Sequence, residues 1–151
     1  MIKVIGDGGD RRHSLEDADG AKVGWIRGNV IGFSALQSEE RAVNAALAAW
    51  RALERAFGRH YFGWKPQPAR FDRVHFVQDG AYEWLAAGEC PLARLHRPPA
   101  DARAGTFAIE IVLPSYASEA ATISVAQILG NVVEAHRAAP IVRDPASLAP
   151  L

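Results

Sequence analysis

With 151 residues, 49% of them hydrophobic and 23% charged, the chain has the composition of one folded domain with a sizeable core, which excludes a disordered polypeptide. Its 17 Lys and Arg balance 17 Asp and Glu, so no net field draws it to nucleic acid or an anionic membrane, and little repulsion opposes self-association. A single cysteine excludes an internal disulfide, and no apolar run approaches the ~20 residues of a membrane helix, so a cytoplasmic protein is expected.

In chain order, Ile2 to Ile5 reads as a short strand, broken by the loop Gly6-Asp7-Gly8-Gly9-Asp10. That glycine cluster is not a phosphate loop, because neither a helix start nor a Lys-Ser/Thr pair follows it. Arg12 to Asp17 predicts a strand entering a two-residue hairpin turn at Asp19-Gly20, whose two central residues both tolerate positive φ. The β-branched and aromatic runs Val23 to Ile26 and Val30 to Phe33 flank a second turn at Gly28-Asn29.

Ser38 is an N-cap candidate with Glu39 and Glu40 in the first turn. Apolar residues at Val43, Ala46, Leu47, Trp50, Leu53 and Phe57 then predict one helix with one buried stripe, stopped by Gly58.

A weaker copy of this stretch follows. Asp79-Gly80-Ala81 and Tyr82 to Leu85 echo Asp19-Gly20-Ala21 and Val23 to Ile26 at an offset of 60, while Ser118-Glu119 echoes Ser38-Glu39 at an offset of 80. Ile109 to Leu113 takes the place of the strand at Val30 to Phe33. The difference is read as an insertion, with Cys90 to Leu95 as an extra strand and HRPPADARAG as the loop after it. The second helix, from Ser118 to about Ala138, is rich in β-branched residues of modest helix propensity. Burial must therefore hold it, and it is expected to be the more buried helix, touching the sheet and either the first helix or another subunit.

The expected fold class is α+β: an antiparallel sheet from two pseudo-repeated strand-strand-(strand)-helix units, with two long helices packed on one face. One domain spans 1–151, with repeat 1 at about 11–58, a connector at about 59–73, repeat 2 at about 74–139 and an extended C-terminal arm at 140–151.

Residues that carry chemistry are few. The connector interleaves Arg59, Lys65 and Arg70 with Tyr61, Phe62 and Trp64, a pattern suited to ligand binding and to stacking single-stranded nucleic acid. The neutral overall charge favours the plainer reading, in which these aromatics plug a core. The histidines at 13, 60, 75, 96 and 136 form no i, i+4 pair and there is no CxxC, so neither a metal nor a cofactor is expected. Cys90 reads as a small apolar filler rather than a nucleophile paired with His75 or His96.

Glu110 sits mid-strand in TFAIEIVLP, on the side opposite Phe107, Ile109, Ile111 and Leu113. Solvent exposure is the expected state; on a covered face the carboxylate would serve as a base or bind a cation. Glu83, on the strand after the second turn, is the candidate for a carboxylate pair with it. The leading functional expectation is a non-enzymatic binding or assembly module that forms a homo-oligomer, a dimer in the simplest case. The rivals are nucleic-acid binding through 59–73 and a small-molecule enzyme using Glu110, Glu83, His75 and His96.

Overall fold

Among the described residues, ten elements follow one another: β1 (Lys3–Gly6), β2 (Arg12–Glu16), β3 (Lys22–Arg27), β4 (Val30–Leu36), α1 (Glu39–Phe57), β5 (Val74–Asp79), β6 (Tyr82–Ala87), β7 (Cys90–His96), β8 (Phe107–Val112) and α2 (Glu119–Arg137). The computed structural model describes residues 1–6, 8–57, 74–88, 90–101 and 105–137. The expected connector, the helix stop at Gly58 and the C-terminal arm lie outside these residues.

All eight strands join one antiparallel sheet in the order β1-β2-β3-β4-β8-β7-β6-β5, which makes the protein α+β. β1 and β5 form its edges, and β4 and β8 meet at its centre. The strand expected at Cys90 to Leu95 is β7, an integral member held between β6 and β8. The strand β5, which precedes the Asp79-Gly80 turn, was not foreseen.

Local chemistry explains the connections. Asp17 Oδ1 accepts the Asp19 and Ala21 amides at 2.9 Å each, and Gly20 but not Asp19 takes a positive φ, +83°, so the hairpin closes over the three residues 18–20 between Asp17 and Ala21 and not over the two expected. Each helix opens on a serine cap, with Ser38 Oγ accepting the Arg41 amide at 3.2 Å and Ser118 Oγ the Ala121 amide at 3.1 Å. Glu39, Glu40 and Glu119 then place negative charge in the first turns. In β4 a bulge between Phe33 and Leu36 puts Ala35 at φ +60°, a left-handed conformation unusual for alanine. Arg137, in the last turn of α2, donates to the carbonyls of Ser34 and Val23 beside that bulge.

Register carries the core. Val4, Leu15, Gly24, Phe33, Ile109, Leu95, Glu83 and Gln78 form one row across all eight strands, and its central members Leu15, Phe33, Ile109 and Leu95 are buried. They join Trp50 and Leu53 of α1 and Val125, Leu129 and Val133 of α2 in one hydrophobic cluster. α1 packs against α2 and against β4, β7 and β8, while α2 also reaches β1, β3 and β4.

The expected ranking of the helices is reversed. α1 buries Ala42, Ala45, Ala46, Leu47, Ala49, Trp50, Ala52 and Leu53, a wider arc than the single stripe expected. α2 buries Thr122, Val125, Ala126, Leu129, Gly130 and Val133, and leaves Ile128 39% exposed. Alanines explain the reversal: their small side chains let the helices approach closely, so positions that look neutral in the sequence become interior. Among the described residues, no helix is long and apolar enough to cross a membrane.

Candidate functional site

Because side chains alternate along a strand, the row next to the core row faces away from the hydrophobic cluster. It contains Ile5, Ser14, Trp25, Gly32, Glu110, Arg94, Trp84 and Val77, one residue from each strand. Its middle is polar and aromatic.

Glu110 is the hub, and here the structure corrects the expectation of exposure: the residue is only 9% exposed. Large side chains from both flanking sides fold over it. From β3, the Trp25 indole crosses Gly32 of β4, whose missing side chain leaves room for the ring, and donates Nε1–H to Glu110 Oε2 at 3.3 Å. From β7, His96 Nε2 lies 2.6 Å from Glu110 Oε1, and Arg94 Nε lies 3.3 Å from the same oxygen. This contact holds the imidazole to the carboxylate through Nε2.

Arg94 is held by aromatic faces, with its guanidinium 4.3 Å from the Tyr82 ring centre and 5.8 Å from that of Trp84. Its Nε–H is buried and misaligned with Glu110, so the contact is an ion pair without a hydrogen bond. Beyond Trp84 opens a groove of about 470 Å³ lined by Val77, Gln78, Asp79, Trp84, Ala86, Gly88 and Pro91. On the far flank, the Arg27 guanidinium lies 5.4 Å above Trp25.

Of the four residues expected to carry acid-base chemistry, the fold brings two together, Glu110 and His96. Glu83 stands in the core row, on the other side of the sheet, so no carboxylate pair forms with Glu110. It instead receives both Arg97 Nε at 2.8 Å and Arg97 Nη2 at 2.9 Å, and Arg97 Nη1 extends to Glu39 of α1 at 2.9 Å. The Arg97 hydrogen bond holds the Glu83 carboxyl below its ordinary pKa, and the Glu83 and Glu39 hydrogen bonds push that of Arg97 upward. This triad ties β6 to the first turn of α1.

His75 lies on the edge strand opposite Ala86, three strands from Glu110. Cys90 is buried in the hydrophobic cluster, as an apolar filler would be. The ligand-binding candidates Arg59, Tyr61, Phe62, Trp64, Lys65 and Arg70 lie outside the described residues. Among the described residues, no three His, Cys, Asp or Glu side chains are grouped to hold a metal ion.

Sequence reasoning missed Trp25, Gly32, Tyr82, Trp84 and Arg94. A signal for Arg94 was present: in CPLARLH, Ala93 and Leu95 alternate with Arg94 and His96 as Ile109 and Ile111 alternate with Glu110. The pairing of β7 with β8 was what the sequence withheld. Comparison with known protein families, with curated proteins and with solved structures returns no match.

Proposed function

We propose that the chain is a non-enzymatic binding module that self-associates, and that its binding surface is the sheet face bearing Trp25, Glu110, Arg94, His96, Trp84 and Tyr82. In this reading the chain is two copies of a four-strand-and-helix unit, with both helices laid on the core side of the sheet. The symmetric strand order supports it, since β1 to β4 run inward from one edge as β5 to β8 do from the other. β1 then corresponds to β5, β2 to β6, β3 to β7 and β4 to β8. The Asp79-Gly80 turn matches the loop between β1 and β2, and β7 is the counterpart of β3 instead of an insertion. The added residues fall in the loop between β7 and β8.

The observation that carries the reading is the network around Glu110. A carboxylate, a guanidinium, an imidazole and an indole converge beside a groove, on a face where a stable sheet needs only ordinary polar residues. Self-association draws support from the charge balance and from Ile5 and Val77, 42% and 40% exposed at the two ends of the same row. Two measurements test these statements. A fragment screen read on the indole N–H signals of Trp25 and Trp84 should yield binders that shift both, and a screen without such binders would remove the surface. Light scattering should give a mass above that of one chain, and a strict monomer at high concentration would remove self-association.

The 2.6 Å contact of His96 with Glu110 favours a second reading, an enzyme in which the oriented imidazole moves a proton. Conversion of a bound fragment to a new species over a day, lost in His96→Asn at a fragment concentration that still saturates the variant, would support it.

A further inference from the structure

The ion-pair partners of Arg94 do not account for its presence. Its side chain is 14% exposed, yet among the described residues it makes no hydrogen bond, and its buried Nε–H is unsatisfied. Glu110 already has Trp25 and His96 as hydrogen-bond partners. A covered guanidinium whose Nε–H finds no acceptor among the described residues costs stability, and an apolar side chain of similar volume would pack at least as well there.

We infer that Arg94 is the anchor for a small monocarboxylate with an apolar or aromatic body, received between Tyr82 and His96 with its body in the groove beside Trp84. The inference rests on the binding-face reading above and names the ligand class for that face. Tyr82 covers the plane of the guanidinium and the buried Nε faces Glu110, so the two terminal nitrogens, Nη1 and Nη2, are the prongs that meet an in-plane carboxylate. His96, 43% exposed and held through Nε2, stands beside it as a second polar contact. Val77, Trp84, Ala86 and Pro91 supply an apolar wall, and the groove of about 470 Å³ is of a size for a small organic molecule. Asp79 at the groove and Glu110 behind Arg94 oppose further negative charge, which selects a monoanion over a polyanion such as a nucleic acid strand.

The test is a titration of the full chain with three probes that share one ring and differ in charge: benzoate, benzamide and benzylamine. Each is followed on the indole N–H signals of Trp84 and Trp25. Benzoate is expected to shift them saturably, with half-saturation at or below about 10 mM, and the other two much less. Arg94→Lys keeps the charge and loses the fork, so it should weaken benzoate at least about tenfold. Should Arg94 variants fail to fold, Tyr82→Ala removes a 44% exposed ring and should weaken benzoate about threefold or more. Benzoate binding unchanged by these substitutions overturns the inference. So does binding of benzamide or benzylamine in preference to benzoate, a result that leaves the binding face standing. If none of the three shifts either indole, the carboxylate assignment falls, and the fragment screen decides the fate of the face itself.

Discussion

The Trp25 indole lies flat across Gly32, the residue paired with it on the neighbouring strand, and a methyl group added at Gly32 would overlap the ring. Gly32 has an ordinary negative φ, so what the position requires is space and not conformational freedom. Without that space the indole could not reach Glu110. Gly32→Ala is therefore expected to lift Trp25 off the sheet, shift its indole N–H signal towards that of a solvent-exposed ring and cost about 1–3 kcal/mol in urea unfolding. An unmoved Trp25 signal would show that the ring does not depend on the glycine.

The Arg94 and Glu110 pair separates stability from binding. Glu110→Gln keeps the shape and leaves Arg94 without its counter-charge in a largely covered place, which should cost about 2 kcal/mol. Replacing both, with Arg94→Met and Glu110→Leu, removes the two charges together and should bring stability back to within about 1 kcal/mol of the original. Trp25 and His96 lose Glu110 as a partner in that variant, and both residues are at least partly exposed. If the double variant is as stable as the original and no longer binds benzoate, the charges are kept for the ligand; a double variant that is the least stable of the set would make the pair a structural requirement.

How legible these features are in the sequence depends on the range of the contacts that create them. The Asp17-to-Ala21 hairpin, the caps at Ser38 and Ser118 and the alternation of Ile109 and Ile111 are set by neighbours within four residues, and all were readable. Glu110 was misread because its burial comes from Trp25, 85 residues away, and from Arg94 and His96 on the adjoining strand. Alternation placed the carboxylate on the correct face but could not say what crosses that face. The alanine stripe of α1 failed for a related reason, since an alanine becomes interior only when a second helix arrives, and pattern reading weighs large apolar residues.

Ala35 offers a stabilising change. It holds φ +60° at the β4 bulge with its side chain exposed, so the methyl group gains little packing and suffers the left-handed conformation. Relief of about 1–2 kcal/mol of backbone strain, partly offset by about 0.5–1 kcal/mol of added chain entropy in the unfolded state, gives a net gain for Ala35→Gly of about 0.5 kcal/mol. A melting temperature raised by one to a few degrees, on the order expected for a domain of this size, is the readout. A fall in melting temperature would mean that the bulge tolerates the alanine without strain.

The Glu83, Arg97 and Glu39 triad sets a pH dependence whose sign follows from the direction of the shift. Hydrogen bonding from Arg97 lowers the Glu83 pKa in the folded state, outweighing the opposing effect of burial. Arg97 itself is pushed further from titration by its hydrogen bonds to Glu83 and Glu39, so within the Glu83–Arg97 pair only Glu83 changes state. A carboxylate with a depressed folded pKa contributes stability that is fully present above its unfolded value and disappears as the pH falls through the folded value. Glu83→Gln should thus cost about 0.5–1 kcal/mol near neutral pH, a figure kept small by partial exposure and solvent screening. The curves of the original and the variant should converge as the pH drops below the ordinary carboxylate range, and the gap at neutral pH should narrow in high salt. A constant gap from neutral to strongly acidic pH would mean that Glu83 stabilises the protein by packing between β6 and α1 and not through its charge.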